Sequence, residues 1–163
     1  MDVVSVHQEL MDKAYELYDD SLSYENFLYE ITKKLGQLYV DAVITGNLNY
    51  QVENGGFTQW YENGYSNTID QLNYFFSNNF LQNNEIIKKI LQILENVKKI
   101  IDWQEHGEKE INKINYDYRE FFSGFLQDYT EKELSRIDFE YDKIAEELDK
   151  LLEEYFEKES IKE

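Results

Sequence analysis

The sequence predicts an all-α fold, a single compact helical bundle of about six or seven helices. Three observations lead there. Apolar residues recur at i, i+3, i+4 and i+7 through most long segments, the signature of one buried helix face. The 163 residues include no proline, so no ring clash interrupts a helix. No run alternates apolar and polar residues as a half-buried strand would. A hydrophobic content of 42%, with 16% aromatic, is enough for a core despite the charge.

The elements follow in order. Ser5-x-x-Gln8 reads as a capping box, and Val6, Leu10, Met11, Ala14, Leu17 and Tyr18 give a stripe to about Asp19. Asp19-Asp20-Ser21 is a loop. The next helix starts near Ser23, carries Phe27, Leu28, Ile31, Leu35, Leu38 and Ala42, contains Gly36, and is expected to stop at Gly46. A short helix then covers 47–53. After the segment discussed below, Thr68 caps a helix with Ile69, Leu72, Phe75 and Phe76 inward, and Asn78-Asn79 and Asn83-Asn84 mark turns. From Glu85 to Asp102 the pattern is strongest, with Ile86, Ile90, Ile93, Leu94, Val97, Ile100 and Ile101 inward and Lys88, Lys89, Lys98 and Lys99 on solvated sides. Residues 103–115 are polar, contain Gly107 and are expected to form a loop that can hold some helix. A helix over 116–129 holds Tyr118, Phe121, Phe122, Phe125 and Leu126. Thr130-x-x-Glu133 reads as a second capping box. The final helix is expected over 138–158, with Tyr141, Ile144, Ala145, Leu148, Leu151, Leu152 and Tyr155 inward.

The segment Asn54 to Gly64, NGGFTQWYENG, stands apart. Glycine adopts positive φ without steric cost, so a helix ending near Glu53 turns at Gly55 or Gly56. Phe57, Trp60 and Tyr61 then share one face of a short second helix, which Asn63-Gly64 stops. Asn54, Gln59 and Asn63 are suited to bond the free backbone groups at the two helix ends. The plain reading is a structural corner. The alternative is a ligand pocket lined by Gln59, Trp60, Tyr61 and Asn63. The core Asn54, Gly55, Gly56, Phe57, Gln59, Trp60, Tyr61 and Asn63 resembles the signature of the bacterial DNA mimic protein family. A second, weaker stretch follows in the expected order: Ile137-Asp138-x-x-Tyr141, then Leu151-Leu152-x-x-Tyr155. The resemblance spans about residues 20 to 157 and departs in the middle, where ILQILENV replaces an alanine-rich helix. It implies an all-α fold and an activity of displaying acidic side chains to a DNA-binding protein.

Charge is the global signal. Lys and Arg number 16 against 34 Asp and Glu, a net −18. Residues 1–101 hold 14 acids and 7 bases, and residues 102–163 hold 20 acids and 9 bases, so the shorter part carries more of the excess. Nucleic acid and anionic membrane surfaces repel such a chain, and basic proteins attract it. No run approaches the ~18 apolar residues of a membrane span. The start MDVVSVHQEL lacks the pattern of a signal peptide. The absence of cysteine excludes disulfides and thiolate zinc sites. A cytoplasmic location is the expectation.

Little points to catalysis, a cofactor or a metal. His7 and His106 read as ordinary surface residues, and no metal-ligating spacing involves them. Asp138-x-Glu140-x-Asp142 is similar to the start of a calcium loop, but Lys143 stands where the glycine belongs. The acidic positions are the better candidates. Glu140, Asp142, Glu146, Glu147, Asp149, Glu153, Glu154 and Glu157 fall off the apolar stripe of the last helix, and Asp128, Glu131 and Glu133 precede them. Two carboxylates per 5.4 Å turn give roughly one charge per 2.7 Å, comparable with about one per 3.4 Å on one DNA strand. The bland alternative is a solvated face. The favoured expectation is a non-enzymatic binding protein whose carboxylates occupy the basic groove of a DNA- or RNA-binding protein, such as a regulator, a nucleoid protein or a defence nuclease. An immunity protein against a basic nuclease toxin is a related version. A small-ligand or enzymatic domain using the Trp60–Asn63 corner is the alternative of another class. The 14 tyrosines leave room for an aromatic self-association patch and a homodimer.

Overall fold

The computed structural model describes residues 4–114 and 116–162. Among them are six α-helices and one 3-10 turn, with no strand. The helices are α1 (Val6–Tyr15), α2 (Tyr24–Lys34), α3 (Gln37–Glu62), α4 (Ile69–Asn78), α5 (Glu85–Ile111) and α6 (Tyr116–Ile161). The 3-10 turn, Tyr65–Thr68, leads into α4.

The helix α3 is the buried axis. From Val40 to Leu48 every side chain is buried, and Gln51 and Val52 continue the run. Such a helix is apolar nearly all round, and its buried polar side chains between Asp41 and Gln51 find partners inside, whereas the Thr58 hydroxyl is buried without one. Thr45 donates to the Asp41 carbonyl at 2.7 Å. The Asn47 amide donates to the hydroxyls of Tyr15 and Tyr24 at 2.9 and 2.8 Å. Leaving any of these groups unpaired would cost about 1–3 kcal/mol. Around α3 pack α1, α2 and α6, and α5 lies along α6.

Several expected boundaries move. Gly36 does not lie inside a helix. It sits at φ 101° between α2 and α3, in the region that favours glycine. Gly46 is not a stop, and 47–53 is not a separate helix: both lie within α3. A Cβ at Gly46 would overlap the Met11 side chain, so this glycine lets α1 approach α3. The segment expected as a loop after Asp102 is helical to Ile111, because Gln104 and Gly107 face α6 rather than solvent. Gly107 packs against Leu126. Asn115, the end of that expected loop, lies outside the described residues. α1 ends at Tyr15, short of Asp19.

The largest correction concerns α6. The expected helix over 116–129 and the final helix starting at Asp138 are one helix of 46 residues. Thr130 is not a cap. It is buried and its hydroxyl donates to the Gln104 side-chain oxygen of α5. Capping chemistry at Thr130-x-x-Glu133 is overridden by this tertiary partner. The Ser5 half of the expected box forms, Ser5 accepting from Gln8 N at 2.9 Å while the Gln8 side chain bonds Asp12. Two caps not read from the sequence are Ser23, which accepts from Asn26 N at 3.1 Å, and Asn84, which accepts from Ile86 N at 2.9 Å. Thr68 precedes α4 but bonds the Tyr65 carbonyl instead.

The close approach of α1 and α3 gives a test. Gly46→Val is expected to cost roughly 1–3 kcal/mol through overpacking, read as a lowered denaturant midpoint with unchanged slope. An unchanged midpoint would mean that α1 does not rest on Gly46.

Candidate functional site

The glycine corner is a break within α3. Gly56 has φ 73° and ψ −176°, and the chain resumes helix at Phe57. The restarted turn has its own cap from a distant element: Phe57 N donates to Asp138 Oδ1 of α6 at 2.8 Å. A Cβ on Gly56 would overlap that same carboxylate. Glycine is therefore required twice, for its dihedral and for the approach of Asp138. Burial holds the Asp138 carboxyl above its usual range, opposed by the Phe57 amide.

The aromatics are core. Phe57 and Trp60 are fully buried and meet edge to face at 5.8 Å, and Phe57 meets Tyr141 the same way at 5.6 Å. Tyr141 donates to Asn49 Oδ1 at 2.9 Å. Thus the stretch around Gly56 and the stretch Ile137–Tyr141, distant in sequence, are packed on each other. The amides behave partly as expected. Gln59 and Asn63 both donate to Gln51 Oε1 at 2.8 Å, rather than to a helix end. Asn54 donates to the Tyr50 carbonyl at 2.6 Å. Gly55 lies against the Gln59 side chain. Asn63 ends the helix, and Gly64, at φ 85°, turns the chain.

A cavity of about 250 Å³ lies between the corner and α5 and α6. Of the expected pocket residues only Tyr61 lines it, together with Thr58, Glu62, Gln104, Glu108 and Glu131. Trp60 is closed off in the core, and Gln59 and Asn63 point to Gln51. The cavity wall is more apolar than polar and carries three glutamates, Glu62, Glu108 and Glu131. Burial, then Glu108 and Glu105, pushes the Tyr61 phenol up to about 12.

The acidic positions separate into groups once the partners are known. Asp142, Glu146, Asp149, Glu153 and Glu157 recur at intervals of three or four residues, which places them on one flank of α6 at about 100° per residue. Glu140, Glu147 and Glu154 recur at intervals of seven on the other flank, with Lys143 and Lys150 between. Over Glu140–Glu157 this is about one carboxylate per 3.6 Å of helix axis. Glu153 is tied into the fold: its oxygens accept from Val6 N at 2.7 Å and His7 N at 3.3 Å. It caps α1 from outside, at the positive end of the helix dipole. Asp149 is partly buried beside Glu53 and Asn49. Glu140, Glu146 and Glu133 pair with Lys143, Lys150 and Arg136 at 3.3, 3.6 and 3.0 Å. Such exposed pairs contribute about 0–1 kcal/mol and open readily. Glu131 accepts from Gln127. Asp128, Asp142, Glu147, Glu154 and Glu157 are exposed.

His7 is not an ordinary surface residue. Its Nε2 donates to the Ala42 carbonyl at 2.8 Å, and its ring stacks on Phe156 at 4.5 Å. Burial lowers its pKa. His106 is exposed as expected but lies in α5. The sequence reading also missed Phe156, Gln104, Gln51 and Asp138 as structural partners. The spacing of Phe156 behind Leu148 and Leu152 was the available signal for the first. Gln104 bonds across elements and Gln51 across the break at Gly56, and neither leaves a local signal. Asp138 lies in the second resemblance stretch, but its bond to Phe57 N is not visible there.

Among the described residues no group of acids and histidines is arranged to hold a metal ion, and no helix is long and apolar enough to cross a membrane. No protein-family model, curated protein or solved structure matches the chain.

Two tests follow from this geometry. Gly56→Ala is expected to cost roughly 1–3 kcal/mol and Asp138→Ala about 1 kcal/mol. The double variant should cost less than the two added, since both damage one junction. Additivity in a denaturation cycle would refute the shared junction. Burial and then Glu53 hold the Asp149 carboxyl at about 6, against about 3.9 in an unfolded chain. The folded form then binds more protons than the unfolded one between these values, so this group's contribution falls as pH rises through 6. His7 works oppositely, costing stability as pH falls below its unfolded value. Asp149→Asn should therefore raise the melting temperature over the parent at neutral pH by a few degrees, with the advantage vanishing near pH 4. A constant difference across that range would contradict the assignment.

Proposed function

We propose that this protein is a non-enzymatic acidic binding protein, which presents the carboxylates of α6 to the basic groove of a nucleic-acid-binding protein. The observation that carries the reading is the placement of eight acids between Glu140 and Glu157 on both flanks of one uninterrupted helix. Asp149 and Glu153 are engaged with α3 and α1, so the six acids offered to solvent stand about one per 5 Å of helix axis, wider than the one phosphate per about 3.4 Å of a DNA strand. A rigid array loses little conformational entropy when it docks. The net charge of −18 steers a basic partner toward it and accelerates association. The lysines between the two rows pair with Glu140 and Glu146 only at the surface, so an incoming arginine can displace them. The resemblance of the corner to the DNA mimic protein family supports the same reading. In this proposal the corner is the mount and α6 is the instrument: Asp138 and Tyr141 fix the helix just ahead of its acidic stretch.

The whole chain immobilised as bait is expected to retain basic nucleic-acid-binding proteins at low ionic strength and release them as salt rises. Replacing Asp142, Glu147, Glu154 and Glu157 with their amides should weaken retention about tenfold or more at unchanged helical content. Failure to retain any basic protein at low salt, or retention indifferent to the four amides, would overturn the reading.

A further inference from the structure

Aromatic rings around the α5–α6 hairpin stand in solvent. Tyr118, Phe121, Phe122, Phe125 and Tyr129 of α6, with Trp103 of α5, are between 44% and 71% exposed. At about 100° per residue the five α6 rings occupy one stripe about 100° wide. That stripe is displaced by about 120° from the line of Leu126, Thr130 and Leu134, which α6 buries. α6 thus has two apolar faces here, and only one is covered. Two pairs of these rings touch: Trp103 meets Tyr129 at 4.8 Å, and Phe121 meets Phe122 at 5.4 Å. Between Tyr118 and Tyr129 the only acids are Glu120 and Asp128. The helical period puts Glu120 on the far side and Asp128 at the stripe's edge. In a chain of net −18, a surface cleared of carboxylates is a local reversal of the composition.

We propose that this stripe is a self-association surface, on which a second copy of the chain seats its own stripe to make a twofold, antiparallel dimer. Area favours this occupant. Aromatic side chains bury about 150–250 Å² each, so the exposed fractions amount to roughly 700 Å² per copy. A pair removes roughly 1,300 Å², within the range of stable specific interfaces, and one copy alone exposes more than monomers usually do. Spacing favours it too. Tyr118, Phe122, Phe125 and Tyr129 fall at i, i+4, i+7 and i+11, the seam of a helix that packs on a like helix. Electrostatics select the orientation. Parallel helices would set the two acidic stretches side by side. Antiparallel helices crossing near Phe125 send them to opposite ends, their centres about 70 Å apart, many Debye lengths at physiological salt. An anionic membrane is disfavoured by the same net charge. The surface is separate from the acidic rows and does not depend on their proposed function.

Sedimentation equilibrium of the whole chain tests this. The expected mass is twice 19.7 kDa, with association tightening as salt screens the repulsion between copies. That salt dependence is opposite in sign to the binding of a basic partner. The F121S/F125S double variant changes two exposed rings and should sediment at 19.7 kDa with parental helical circular dichroism. Quenching of Trp103 fluorescence by acrylamide should fall with protein concentration in the parent and not in the variant, while buried Trp60 stays protected in both. A single-chain mass at every ionic strength up to hundreds of micromolar overturns the proposal. So does a double variant that dimerises like the parent, or an open series of higher masses.

Discussion

The bond from Phe57 N to Asp138 fixes how the two longest buried surfaces meet. α3 is the apolar axis and α6 is the outer rod, and Gly56 lets the chain of one come within hydrogen-bonding distance of the other. Immediately beyond that point Tyr141 closes over Phe57, and Ile144, Leu148, Leu152 and Phe156 continue the inward stripe. Everything that follows on the outer surface of α6 inherits its position from this junction. Glu153 adds a second tie at the far end by capping α1. The acids are therefore carried on a helix held at both ends of its acidic stretch.

The helices themselves were legible because burial imposes a period that composition cannot hide. The stripes of α2, α5 and the second half of α6 needed only the positions of Leu, Ile, Phe and Tyr. The cap at Ser5 was read, since a cap bonds amides two or three residues away. Ser23 was read only as a helix start and Asn84 as a turn, although both cap in the same way. What failed was the inference of endings from local signals. Gly46 looks like a stop and Gly107 like part of a loop, but each makes room for a side chain from another helix, Met11 and Leu126. Thr130 looks like a cap, but its hydroxyl has a partner on α5. A residue's long-range partner is invisible to its own neighbours in sequence, and it outweighs propensities worth under 1 kcal/mol. Gly56 was readable as a break because positive φ is a local need. Its second role, yielding space to Asp138, was not.

The same distinction applies to the acidic surface. The sequence places carboxylates off the apolar stripe, but it does not distinguish a charge held by the fold from one offered to solvent. Glu153 and Asp149 are engaged with α1 and α3, whereas Asp142, Glu147, Glu154 and Glu157 stand clear. The corner, which carried most of the sequence's individuality, is closed around Trp60 and Phe57. Its place in the molecule is mechanical: it aims α6. A function based on displayed charge needs such a mount, because an array on a hinged pair of helices would lose its spacing whenever the hinge moved.

The continuity of α6 is the claim on which that argument turns, and a distance between its two halves measures it. The chain has no cysteine, so cysteines introduced at exposed Glu120 and Glu157 can be spin-labelled cleanly, with unlabelled protein added in excess. One unbroken helix sets these positions about 56 Å apart, and a pulsed dipolar measurement should give a single narrow distribution near that value. A broad distribution or a markedly shorter distance would place a break between Glu120 and Glu157 and would contradict the rigid acidic rod.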